Sequence, residues 1–169
     1  MTSTYEKIAT TTLANSTTNS ISFSSISGSY TDLVLIMNVG AATSASNVGL
    51  RFNSDTGTNY SRVILSGNGA TASSDREGTQ NVLRLTYNAY QPTGVFNSNL
   101  IVNIQNYSNT TTYKTVINRS NTGNEGVDAQ IGLWSSTSAI STVTAFIWDN
   151  ASYYFLSGSM FTLYGIKAE

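Results

Sequence analysis

Apolar residues recur at every second position along most of the chain, which is the period of a strand and not that of a helix. Ile21 and Phe23 begin an alternation after the polar run ANSTTNS. TDLVLIMNV is apolar without a break from Leu33 to Met37, as expected of a strand buried on both faces. Val48, Leu50 and Phe52 alternate with Asn47, Gly49 and Arg51, and the pattern resumes from Tyr60 to Leu65. NVLRLTY reads as a further strand, Leu100, Val102 and Ile104 share a face, and another strand starts at Tyr113. AQIGLW, STVTAFIW and MFTLYGI close the chain with short runs rich in β-branched and aromatic residues. The one stretch with room for a helical turn is DREGTQNVLRL, after Ser74, and its threonine and asparagine disfavour it.

This pattern predicts an all-β fold: an antiparallel β-sandwich, jelly-roll-like, of about nine or ten short strands. Residues 1–20 are expected to be an N-terminal arm or first strand of the same unit, able to reach towards neighbours. Residues 21–169 are expected to be a single sandwich domain. The one proline, Pro92, marks a loop and leaves the strands uninterrupted.

Composition narrows the chemistry. The chain has 169 residues, enough for one domain with a real core. Only 10% are charged, while 25 serines, 24 threonines and 18 asparagines supply short hydrogen-bonding side chains. These suit turns and the wet sides of sheets. A net charge of −1 provides no basic stripe for nucleic acid or for an anionic membrane. MTSTYEKIATTTL lacks a signal-type apolar core, and no run reaches transmembrane length. That fits a protein that works where it is made or leaves by a route needing no Sec signal.

The chain has no histidine and no cysteine, which removes the commonest general base and the usual zinc ligands. A serine nucleophile would have to borrow Lys7, Lys114 or Lys167 as its base, and none stands in a recognisable motif. Most of the nine carboxylates fall in apparent loops, where solubility and turn hydrogen bonds explain them. SGNGATASSDREG lacks the Walker lysine and a following helix. The expectation is a protein that is not an enzyme, with no catalytic residue, no cofactor and no metal.

RFNSDTGTNYSRVIL is the stretch with alternatives. As an EF-hand it fails: Asn53 and Asp55 alternate, but Gly57 falls one place early and the closing glutamate is missing. An irregular calcium loop is left open. As a bend, Asp55 accepts hydrogen bonds from amides two residues on and Gly57 takes a positive φ. Val48-Leu50-Phe52 and Tyr60-Arg62-Ile64 then become the two arms of a hairpin.

Aromatic residues supply the candidate contacts. Tyr87, Tyr90 and Phe96 surround the proline, and Tyr153 and Tyr154 sit in DNASYYFLSG. Trp134 joins them as a candidate, although Trp134 and Trp148 both stand in strand-like runs that suit a core. Such rings plug sandwich corners, anchor subunit interfaces or stack on sugars. The Asn-x-Ser/Thr triplets at Asn15, Asn59, Asn106, Asn109, Asn118 and Asn150 are what chance supplies in this composition.

TYEKIATTTL, YTDLVLI, RFNSDTGTNYS, LSGNGATASS, GLWSSTSAIST and FTLYGIKAE, in this order, resemble a group of small virion proteins of aquatic tailed bacteriophages. The likeness spans nearly the whole chain, and similar modules end longer tail fibres. It implies a non-enzymatic structural protein on the virion surface. A capsid decoration (cement) protein is the first expectation, since no fibrous stem is present. The other is a tail-fibre or receptor-binding tip touching host polysaccharide. It further implies a homo-oligomer, a trimer, and partners among other virion proteins such as the major capsid protein. It carries over no catalytic residue.

Overall fold

The structure, a computed structural model, describes residues 4–44, 46–87, 94, 98–122 and 126–167. Twelve strands among them form two antiparallel sheets, and none of the described residues is helical. In chain order they are β1 (Tyr5–Thr12), β2 (Ser20–Phe23), β3 (Asp32–Val39), β4 (Val48–Phe52), β5 (Tyr60–Gly67) and β6 (Ala72–Gln80). Then follow β7 (Leu83–Arg84), β8 (Ser98–Gln105), β9 (Lys114–Asn121), β10 (Val127–Trp134), β11 (Val143–Ile147) and β12 (Met160–Ile166). The large sheet runs β1-β12-β3-β8-β9-β10-β5-β6 and the small one β2-β11-β4-β7. The expected sandwich is present, with twelve strands in place of nine or ten. Consecutive strands β8, β9 and β10 stay in one sheet as a meander; most other connections change sheet.

One core lies between the sheets. Leu33, Leu35 and Met37 of β3, Leu100, Val102 and Ile104 of β8, and Phe161 and Leu163 of β12 meet Ile21, Phe23, Leu50, Phe52, Val143 and Ala145 of the small sheet. At about 25 cal/mol per Å² of apolar surface removed from water, this layer is the main source of stability. The sheets approach closely at Gly132: a Cβ there would stand 2.6 Å from Leu83 Cδ1.

Two local expectations are corrected. The 74–80 stretch, where the sequence disfavours a helical turn, is part of β6, an edge strand hydrogen-bonded to β5. Ile36, in the run read as buried on both faces, is exposed. The hairpin predicted around Asp55 does not form: β4 pairs with β11 and β7 in the small sheet, while β5 pairs with β10 and β6 in the large one. The chain crosses between sheets because Asn53 and Ser54, not Gly57, adopt positive φ (51° and 57°) and turn it out of β4. Asn53 is anchored from its side chain. Its Oδ1 accepts from the amides of Ser141 and Thr142, and its Nδ2 donates to Ala139 O.

Half of the large sheet has its polar side inwards. Buried on the inner side are Asn118 and Ser120 of β9, Asp128 and Gln130 of β10, and Arg62 and Ser66 of β5. The cause is segment 83–87, which stays bonded to β4 as far as Leu85 N–Val48 O (2.8 Å) and lies over these strands with carbonyls that need partners. Arg62 Nη1 donates to Arg84 O (3.2 Å) and Thr86 O (3.4 Å), and Gln130 Nε2 to Arg84 O (2.8 Å). Asn118 Nδ2 and Ser120 Oγ donate to Leu85 O, and Tyr87 N donates to Asp128 Oδ2. Glu77 bridges Arg62 (2.9 Å) and Arg84 (2.6 Å). With their polar residues turned in, these strands must turn their intervening aliphatics out.

Candidate functional site: an uncovered aliphatic face

The outer side of β9, β10 and β5 carries those aliphatics in register. Val63 stands opposite Ile131, which stands opposite Ile117. In the adjoining row Leu65 faces Ala129, then Arg119, Ile101 of β8 and Ile36 of β3. Val63 is 57% exposed, Leu65 63%, Val127 60% and Ile131 60%. Four such residues on neighbouring strands make a continuous patch of the kind that marks an interaction surface, unlike scattered single exposures. Shallow grooves run over it. One of about 600 Å³ is bordered by Leu65, Ile101, Arg119 and Val127, another of about 390 Å³ by Val63, Ile117 and Ile131.

The patch is positive where it is charged at all. Arg119 is exposed between Ile101 and Ala129, and Arg76 of β6 stands opposite Val63. The ion pairs among the described residues are Arg62–Glu77, Arg84–Glu77 and Lys167–Glu6, so neither Arg119 nor Arg76 takes part in one. Asp128 and Glu77 turn to the inner side.

The opposite outer face, on the small sheet, is finished differently. The Arg51 guanidinium lies 4.7 Å from the Phe146 ring centroid and that of Arg84 4.8 Å from Trp148. Ser22 and Thr144 hydroxyls pair at 2.8 Å. Trp148, expected in the core, lies just past the end of β11 and is 37% exposed under this cover. Gly49 leaves the room: a Cβ there would stand 3.1 Å from Phe146 Cζ and 3.3 Å from Trp148 Cβ.

The aromatic candidates do not form one site. Trp134 is buried against Phe52 and Tyr60, and its Nε1 donates to Asp55 Oδ2 (2.7 Å), so it has no free ring for a partner. Tyr87 is partly exposed at the end of the 83–87 segment, 5.9 Å from the Arg62 guanidinium. Tyr153 and Tyr154 are half-buried on another loop, tied to Asn19 and Thr43. Tyr90 and Phe96 lie outside the described residues.

The Asp55 loop is a bend. Its carboxylate accepts from Gly57 N (2.8 Å), Asn59 Nδ2 (2.9 Å) and Trp134 Nε1. Oxygens directed at N–H donors are not arranged around a cation. Burial raises the Asp55 pKa, but these hydrogen bonds and the charge of Arg51 outweigh it and hold the carboxyl below the usual range. Lys114 is buried and donates to Thr112 O (2.7 Å) and Ser136 O (3.5 Å), carbonyls with no proton to surrender. Burial lowers its pKa.

Sequence reading missed Val63, Leu65, Arg119, Val127 and Ile131. The sequence holds only half of the signal: Asp128 and Gln130 alternate with Val127, Ala129 and Ile131 along β10. Alternation identifies two faces without saying which is inside. No protein-family model matches the chain, and no curated protein matches it.

Proposed function

We propose that this is a non-enzymatic structural protein of a bacteriophage particle surface, a capsid decoration (cement) protein that docks through its aliphatic sheet face onto other virion proteins such as the major capsid protein. The observation that carries the docking is that face: Val63, Leu65, Val127 and Ile131, most of their surface in water, side by side on a continuous antiparallel sheet. The virion setting is supported by the resemblance of the sequence motifs to phage virion proteins. The absence of histidine and cysteine from the chain supports a role without catalysis. The resemblance also implies a trimer. Strands β1 and β6, at the two edges of the large sheet among the described residues, are suited to such contacts.

A second reading, a tail-fibre tip that meets host polysaccharide, is favoured by the small sheet, where Phe146 and Trp148 stand beside Arg51 and Arg84. Imaging the intact particle at a resolution that traces this chain separates the two. The decoration reading expects a copy number that follows the capsid protein and the β9-β10-β5 face against the shell. A copy number that follows the tail supports the tip, and a particle lacking the chain overturns both.

A further inference from the structure

We infer that the partner surface covering this face is an apolar protein surface bearing a carboxylate, and that Arg119 is the residue that selects it. This rests on the docking reading above and adds the chemistry of the occupant. Arg119 stands inside the aliphatic patch, with Ile101 and Ala129 on either side and Ile117 two residues before it. Any partner that covers Leu65, Ala129 and Ile101 must also cover its guanidinium.

A guanidinium removed from water without a counter-charge is strongly unfavourable, and a bidentate carboxylate restores the balance best. The chain supplies no such group here. Among the described residues, the outer sides of β8, β9, β10 and β5 carry no carboxylate, and Arg119 has no ion pair. Arg76 at the rim adds a second positive charge. Two copies stacked face to face would bury Arg119 of each against a patch that cannot neutralise it. Charge complementarity therefore points away from a second copy and towards an acidic, apolar partner.

The full-length protein can be titrated with three synthetic amphipathic helical peptides, identical except that the centre of the apolar stripe holds glutamate, glutamine or lysine. Methyl chemical shifts of Val63, Leu65 and Ile131 report binding at the face. The glutamate peptide should bind about tenfold more tightly than the glutamine one, with lysine weakest. Arg119→Glu should reverse that order while leaving the melting temperature near wild type. Equal affinity for all three would overturn the charge selection and leave the docking reading standing. Concentration-dependent dimers abolished by Leu65→Ser would give the face to a second copy and overturn the inference. Binding to phosphatidylserine vesicles, lost in Leu65→Ser, would make the occupant a membrane and overturn both. A monomer that binds none of these probes overturns both as well.

Discussion

The two halves of the large sheet share a register and an antiparallel ladder, yet they face opposite ways. In β12, β3 and β8 most of the aliphatics point inwards, with Ile36 and Ile101 the exposed exceptions beside Arg119. The outer side joins Asn38 to Asn99 and Thr10 to Thr162 by side-chain hydrogen bonds. In β9, β10 and β5 much of the inner side is polar, and the outer side is Val63, Leu65, Ile117, Val127 and Ile131. In the first half most of the apolar surface has the small sheet as partner. The second uses its inner side to satisfy the backbone of segment 83–87, and its aliphatics are left facing solvent. Stability in one half should therefore depend on packing, and in the other on a polar network.

The largest effect should come from breaking that network. Arg62→Leu adds apolar bulk to an interior position, yet it strips partners from Arg84 O, Thr86 O, Gln130 and Glu77. A loss of about 3–5 kcal/mol is expected in urea unfolding, as for other buried ionic groups deprived of one member. A neutral result would mean that segment 83–87 does not need these donors. Leu35→Ala tests the other half. It removes a fully buried side chain from the aliphatic layer and should cost about 2–4 kcal/mol, a transfer term plus a cavity term.

Asp55 gives a pH-dependent test at the entrance to the inverted half. Its folded pKa is lowered, so its stabilising contribution is complete above the unfolded value of about 3.9 and is lost as pH falls through the folded value. Stability should drop below about pH 4 in the wild type, with a smaller drop in Asp55→Asn, compared by thermal melts across that range. Equal acid dependence in both would show that the carboxylate, despite its three donors, contributes nothing selective. Tyr60, whose pKa burial raises to about 12, makes no competing contribution in the same range.

Much of this architecture was legible beforehand because period two survives burial, exposure and inversion alike. The sandwich and the strands of that first half follow from it, and the Gly57 N–Asp55 Oδ1 hydrogen bond follows from the two-residue spacing of aspartate and glycine. What could not be read is which face lies inside. Val127, Ala129 and Ile131 alternate with Asp128, Gln130 and Gly132, and the hydrophobic rule assigns the first set to the core. The assignment reverses only because a remote segment, 83–87, brings unsatisfied carbonyls over the polar set. That contact is long-range and leaves no local trace. The failed hairpin has a similar origin: Asn53 and Ser54 turn the chain into the other sheet because Ala139, Ser141 and Thr142, far along the sequence, hold Asn53.

The smallest expected effect on stability is the most informative. Leu65→Ser with Ile131→Ser changes two large side chains that already spend most of their surface in water. Little transfer free energy is lost, no cavity forms and no hydrogen bond is broken. The change in unfolding free energy should stay within about 0.5 kcal/mol per site, the range of ordinary surface substitutions. Association with the partner should nevertheless weaken severely, because the same atoms are the centre of the buried contact there. A large loss of stability in the isolated protein would mean that the aliphatics are already covered by the chain itself. Unchanged stability together with unchanged particle binding would mean that the apolar side is exposed without purpose. Only the split result, intact folding with lost docking, agrees with a sheet whose second half is completed by another protein.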